Sequence, residues 1–232
     1  MSPQNVSYVL EHNSYLTPEK VKVCPNVIEV IDKSIDMDSR SLIREKYGIP
    51  IDKKVFVYGG NLGKPQGIDF LINCLQSRQE DSQAFFLIVG DGTEYNKLEK
   101  FKLNTKQTNF KLMRRLPKED YDTVVASCDV GLIFLDYRFT IPNFPSRLLG
   151  YMQAKLPVLT CTDPNTDIGN IVSESGFGWH CESNSIKEFN KCVETALRSE
   201  TALMGEIGYQ FLMSHYTAEN GYKIIVRRLM EK

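Results

Sequence analysis

Residues 55–75, VFVYGGNLGKPQGIDFLINCL, decide the fold of this chain. The first four are β-branched or aromatic, which is typical of a buried strand. A glycine-rich turn follows at residues 59–67, and residues 68–75 then repeat apolar side chains at helical spacing. The stretch therefore predicts one strand, one turn and one helix, the repeating unit of an α/β domain.

The same alternation continues on both sides of this unit. Further strands are predicted at residues 21–24, 85–89, 110–113, 130–135, 158–160 and 176–180. Further helices are predicted near the start of the chain, at residues 39–47, 94–101 and 118–127, from about Pro145, and at residues 168–173, 186–197, 202–213 and 218–230. Strands and helices that alternate with short linkers predict a doubly wound, Rossmann-like parallel sheet covered on both faces.

Composition excludes several classes of function. The 232 residues carry a formal net charge of −1, so no basic excess favours nucleic acid as a partner. No apolar run approaches the roughly 20 residues that cross a bilayer. The six cysteines lack a C-x-x-C pair and the three histidines are far apart, which predicts reduced core thiols, a cytoplasmic protein and no metal site.

Ligands of doubly wound sheets bind beyond the carboxyl ends of the strands. Five loops are predicted at that edge: residues 59–67, 90–92, 115–118, 136–146 and 162–166. Aspartates occur in several of these loops, but no pair has a diagnostic spacing, and aspartate is common in turns for local reasons. The sequence thus predicts one site at this edge, without an evident acid–base set.

Arg147 gives this edge a charged candidate. A helix that begins near Pro145 would leave the amides of Ser146, Arg147 and Leu148 free at its positive end. Those amides and the planar guanidinium favour a phosphate or diphosphate. The alternative is an arginine that simply lies on the surface of an α/β domain.

The glycine-rich loop at residues 59–67 could let the backbone approach phosphate oxygens, with Lys64 as a counter-charge. It is not a Walker A loop, because Pro65 stands where that motif needs Ser or Thr. It also lacks the G-x-G-x-x-G pattern of dinucleotide-binding loops. A glycine-rich turn without a ligand remains the alternative.

In order, these segments resemble the C-terminal domain of family 4 glycosyltransferases, retaining enzymes of the two-domain GT-B type. The resemblance rests on residues 58–62 with Gln66 and Gly67, and on residues 88–92, 121–129, 145–152 and 156–158. It spans nearly the whole chain. By resemblance, residues 1–25 are the end of an acceptor domain and the linker, residues 26–215 are the donor-binding domain, and residues 216–232 return toward the missing N-terminal domain.

The resemblance implies a nucleotide-sugar donor, most plainly a UDP-sugar, bound without a metal or other cofactor. It implies transfer of a hexosyl or N-acetylhexosaminyl group to a glycan or lipid-linked acceptor in bacterial surface polysaccharide assembly. The acceptor would be held through the missing N-terminal domain, so the chain alone should be inactive. The full-length protein would be cytoplasmic, and contact with the inner face of the cell membrane is compatible with this role.

The resemblance also implies a set of site residues but no catalytic residue. Gly60 would approach the diphosphate, and the loop beside Leu116 and Pro117 would line the base pocket. The full set of nucleotide-sugar contacts is Gly60, Asn61, Lys64, Gln66, Gly90, Asp91, Leu116, Pro117, Ser146 and Arg147.

Two departures from the family pattern keep other functions open. The family usually has Arg at the position of Asn61 and Lys at that of Gln66, so Lys64 or Arg147 would have to balance the diphosphate. The family's paired glutamates would fall on Pro142 and Gly150, which removes the usual ribose ligand. A noncatalytic binding or regulatory module is therefore the second interpretation. A nucleotide-sugar epimerase is a third, disfavoured by the missing acid–base set.

Overall fold

The computed structural model describes residues 2–230 and contains a six-stranded parallel sheet in the order β3-β2-β1-β4-β5-β6. The strands are β1 Lys54–Asn61, β2 Ala84–Asp91, β3 Phe110–Met113, β4 Val130–Phe134, β5 Val158–Thr162 and β6 Gly178–Glu182. The chain builds outward from β1 in one direction and from β4 in the other. This is the doubly wound arrangement, so the predicted fold class is confirmed.

All ten predicted helices are present, with bounds shifted by a few residues. They are α1 Pro3–His12, α2 Met37–Lys46, α3 Ile68–Ser77, α4 Tyr95–Asn104, α5 Lys118–Ala126, α6 Arg147–Gln153, α7 Ile168–Glu174, α8 Ile186–Arg198, α9 Thr201–His215 and α10 Ala218–Met230. A short 3₁₀ turn, Lys64–Gln66, precedes α3. Within residues 2–230 no helix has both the length and the apolar character needed to cross a membrane.

The strand predicted at residues 21–24 is wrong. Within residues 2–230 this segment is extended but pairs with no strand, and the nearby chain makes only an isolated parallel bridge between Ile28 and Thr217. The segment runs beside α10, where Val27 packs so closely on Gly221 that an added Cβ would lie 2.9 Å from a valine methyl. A β-like sequence became an extended surface segment because no sheet edge lies next to it.

The sheet separates two hydrophobic layers. Val55 and Val57 face one layer, and Phe56 and Tyr58 face the other, as expected when successive side chains of a strand point to opposite faces. Every residue of β4 and β5 is buried. The central strands are therefore covered on both sides, and polar groups are concentrated at the strand ends.

The prediction of reduced core cysteines holds for most of the six. Four thiols are buried, Cys192 is half-buried, Cys24 is exposed, and all six are free. Burial raises the pKa of the Cys128 thiol to about 12. The predicted divisions after residues 25 and 215 remain predictions, and Met1 and residues 231–232 lie outside the described part of the chain.

Candidate functional site

The register of β1 against β2 brings two predicted loops together. Gly60 stands opposite Gly90, and Asn61 stands opposite Asp91. A Cβ on Gly90 would lie 1.9 Å from the carbonyl oxygen of Gly60, so only glycine fits this contact. Gly60 itself has a φ of 118°, a conformation that favours glycine. The backbone is thus open at the point where a ligand would approach the sheet edge.

Two adjoining cavities lie at this edge. The first, the central cavity, has a volume of about 540 Å³ and includes the predicted residues Gly60, Asn61, Gln66, Ser146 and Arg147. The second, the side cavity, has a volume of about 510 Å³ and includes the predicted residues Gly60, Asn61, Gly90, Asp91 and Leu116. Together they hold eight of the ten predicted contacts.

The other two predicted contacts line neither cavity. Lys64 is exposed on the 3₁₀ turn. Pro117 caps the start of α5, next to Leu116. Of the two cations considered for the diphosphate, only Arg147 therefore lines a cavity.

The Arg147 guanidinium is held at the central cavity without a compensating charge. Its Cζ lies 4.3 Å from the centroid of the Tyr58 ring and 3.8 Å from where a Cβ on Gly60 would stand. Its Nη1 atom is buried without a hydrogen-bond partner, and no carboxylate of residues 2–230 lies within 4.0 Å of the group. Burial raises the pKa of Tyr58, and that of Tyr121 to about 12, so both phenols are neutral.

The start of α6 differs from the prediction. The helix begins at Arg147, and the Leu148 amide donates to the Pro145 carbonyl at 3.2 Å, so it is not free. A tight turn at Pro145 and Ser146 satisfies that donor with a bond of the 3₁₀ type. In the described part of the chain, only the amides of Ser146 and Arg147 lack a protein acceptor here. The positive character of this corner thus comes mainly from the side chain of Arg147.

Comparison with known proteins identifies the family. The model of the family described as glycosyl transferases group 1 matches residues 39–222. The chain belongs to this family. Solved structures support the fold. The chain matches an Anabaena protein, Alr3699/HepE in complex with UDP, with a TM-score of 0.77 at 17% identity, over 98% of this chain and 61% of that one. The chain therefore has the Rossmann-like fold seen in GT-B glycosyltransferases.

Two curated relatives of this chain are bacterial proteins. It is 24% identical over 223 residues to the probable glycosyltransferase WbjE of Pseudomonas aeruginosa, covering 88% of this chain and 56% of WbjE. It is 31% identical over 158 residues to the putative colanic acid biosynthesis glycosyl transferase WcaI of Escherichia coli, covering 66% of this chain and 38% of WcaI. The chain thus spans about half, or less, of the relatives' length.

A second solved structure matches the chain over nearly its own whole length. It is the C-terminal domain of a group 1 glycosyl transferase, LpcC, from Francisella tularensis. The TM-score is 0.64 at 12% identity, and the match covers 82% of this chain and 99% of that one. At this identity the likeness supports the fold alone.

The glycine-rich loop carries the uncharged side chains of Asn61 and Gln66. Asn61 Nδ2 donates to Gln66 Oε1 at 3.3 Å, and the Gly63 amide donates to the same oxygen at 3.1 Å. The two amide side chains therefore shape the turn but carry no charge toward the cavity. A dianionic ligand would need its counter-charge from other residues of the cavity, among which Arg147 has no carboxylate partner in residues 2–230.

Sequence reasoning missed Lys33 and Asp122. Their side chains form an ion pair of 2.8 Å and line the central cavity, Lys33 from a nonhelical segment and Asp122 from α5. Lys33 is brought there because its amide donates to the Gln153 carbonyl and Gln153 Nε2 donates to the Glu29 carbonyl, both at 2.9 Å. No local sequence pattern indicates such a long-range arrangement, so Lys33 could not have been found. Asp122 could have been considered, because it lies inside residues 121–129, a segment that resembles the family.

Gly150 leaves part of the central cavity open. It lies on α6, one turn after Arg147, and apart from its own helix backbone and chain neighbours a Cβ added there would meet no atom of residues 2–230 within 4 Å. The helix does not need glycine at this position for packing. The missing side chain therefore enlarges the cavity between α6 and α5.

Proposed function

We propose that this chain is the C-terminal, donor-binding domain of a retaining family 4 glycosyltransferase. It would bind a UDP-sugar for transfer of a hexosyl or N-acetylhexosaminyl group to a glycan or lipid-linked acceptor in surface polysaccharide assembly. The observation that carries the proposal is the uncompensated guanidinium of Arg147 beside Gly60, at a cavity large enough for a nucleotide. Such a cation is stabilised by an anionic ligand.

The names of similar proteins also support a UDP-sugar donor and a role in polysaccharide assembly. One similar solved structure is Anabaena Alr3699/HepE in complex with UDP-glucose, and the name of WcaI refers to colanic acid biosynthesis. The chain covers only part of those proteins, so the acceptor would be held by a part of the protein beyond this chain. We therefore expect sugar transfer to need that part, with this chain supplying the donor site.

The geometry suits a reaction driven by positioning and charge. The bond between the sugar and the diphosphate breaks, the acceptor oxygen bonds to the anomeric carbon from the same side, and a donor phosphate oxygen takes the acceptor proton. Arg147 would stabilise the charge that develops on the leaving diphosphate. The carboxylates lining the two cavities are Asp122 and Asp91, and each already bonds to a basic side chain.

The first test is binding of UDP. Isothermal titration calorimetry of this chain should show UDP binding in the presence of a chelator, because Arg147 rather than a metal balances the diphosphate. Uridine, which lacks the phosphates, should bind at least tenfold more weakly. No heat from any nucleoside diphosphate at millimolar concentration would sink the donor-site proposal.

The second candidate function is a noncatalytic binding module, and the observation that favours it is Gly150. Replacing Gly150 with Glu tests it, because the open space accepts the new side chain. If the site already binds UDP without a carboxylate at position 150, the UDP affinity of Gly150→Glu should rise by no more than about threefold, or should fall. A new charge-assisted hydrogen bond would raise the affinity by more than this. A gain of tenfold or more would indicate a decayed site.

Gly150→Gln is the matched control for this change. Both variants remove a helix-interior glycine, which should raise the free energy of unfolding by about 0.5–1 kcal/mol. Only the glutamate adds a charge. Any difference in UDP affinity between the two therefore reports the carboxylate and not the helix.

A further inference from the structure

The wall of the central cavity carries a preformed ion pair. Lys33 and Asp122 meet at 2.8 Å, and both are half-buried. They line the same cavity as Arg147 and Gly150. The proposed donor chemistry assigns a role to Arg147 but leaves this pair unused.

The two carboxylate oxygens of Asp122 differ in their hydrogen bonding. Lys33 and Lys118 both donate to Oδ2, at 2.8 and 2.9 Å, and no group in residues 2–230 donates to Oδ1. Partial burial alone would raise the pKa of Asp122, but the bonds from the two lysines hold it below its usual value. The carboxylate is therefore ionised near neutral pH, fixed in position, and able to accept further hydrogen bonds.

Asp122 lines the same cavity as Arg147, and its partner Lys118 lines the side cavity together with Leu116. In a nucleoside diphosphate the group one step from the phosphates is the ribose, whose 2′ and 3′ hydroxyls are two adjacent donors. A carboxylate with a free oxygen is a suitable acceptor for that pair.

We propose that Asp122 binds the ribose hydroxyls of the donor nucleotide and that Lys33 is the positioning residue that orients it. The inference rests on the proposed function and names the ribose subsite within it. Recognition of the sugar of the nucleotide then comes from α5 rather than from position 150 of α6. The open space beside Gly150 becomes room for the ribose.

Asp122→Asn, titrated with UDP and with 2′,3′-dideoxy-UDP, tests this assignment. The substitution should weaken UDP binding about tenfold, the usual effect of losing a hydrogen bond to a charged group. It should leave the affinity for 2′,3′-dideoxy-UDP within twofold, because that ligand lacks the hydroxyls. The effects of removing the carboxylate charge and of removing the ribose hydroxyls should therefore not be additive, as expected for groups in direct contact.

Asp120→Asn is the matched control. Asp120 lies on the same helix in an exposed ion pair with Lys46 at 3.5 Å and does not line the cavity. Its replacement should change neither affinity. A conservative variant adds a second readout: Asp122→Glu, which keeps the carboxylate, should retain more of the UDP affinity than Asp122→Asn.

The outcomes separate this inference from the proposed function. If the unaltered chain binds UDP but Asp122→Asn weakens both nucleotides equally, or neither, Asp122 is a structural ion-pair partner only and the inference is overturned. If the unaltered chain binds no nucleoside diphosphate, the proposed function fails, and the ribose assignment falls with it. A loss confined to UDP, with affinity partly retained in Asp122→Glu, would support both.

Discussion

Replacing Arg147 with alanine should weaken UDP binding tenfold or more and leave uridine binding nearly unchanged. The guanidinium lies beside Gly60 with a buried Nη1 that has no partner, and no carboxylate of residues 2–230 competes with a ligand for it. Hydrogen bonds to charged groups contribute about 1.5–3 kcal/mol, which corresponds to at least a tenfold change in affinity. Calorimetry with both ligands measures the difference directly.

Two variants show whether the loss belongs to the guanidinium. Arg147→Lys should recover only part of the affinity, because an ammonium does not reproduce the planar fork of donors. Arg138→Ala is the matched control, since Arg138 lies on a nearby loop but is 84% exposed and paired with Asp136 at 2.7 Å. Unchanged UDP affinity in a folded Arg147→Ala variant would mean that this arginine only packs against Tyr58.

The fold could be predicted because its signals are local. Strands such as β4, Val130–Phe134, are apolar runs bounded by polar residues, and the strands alternate with helices. The alternation then restricts the topology to a parallel, doubly wound sheet. Residues 21–24 failed because strand formation needs an adjacent edge, and the sequence of a segment does not specify its neighbours.

The site could be predicted only in part, for the same physical reason. Loops at the carboxyl edge follow from the topology, so Gly60, Gly90 and Arg147 were expected near one another. The wall formed by Lys33 and Asp122 depends on where a nonhelical segment crosses α6, and no periodicity encodes that path. The Leu148 amide was wrongly predicted to be free because proline allows either a first helical turn or a preceding tight turn.

Asp129 provides the largest expected effect on stability. Its carboxylate accepts the Val55 amide and Arg44 Nη2, both at 2.7 Å, and also bonds to Arg40. The Arg44 side chain is only 3% exposed. Asp129 therefore ties α2 to β1 and β4 at the edge of the sheet opposite the cavities, and it neutralises a buried guanidinium.

Asp129→Ala should lower the free energy of unfolding by about 3–5 kcal/mol, because removing one partner leaves the Arg44 charge buried and uncompensated. Arg44 would keep its bonds to the carbonyl oxygens of Ser127, Pro50 and Lys53, but those carry no net charge. Asp120→Ala removes an exposed pair and should cost less than about 1 kcal/mol. Urea denaturation followed by circular dichroism measures both, and equal losses would contradict the role given to Asp129.

The folded fraction of Asp129→Ala should still bind UDP normally, because the network stabilises the sheet without touching the ligand cavity.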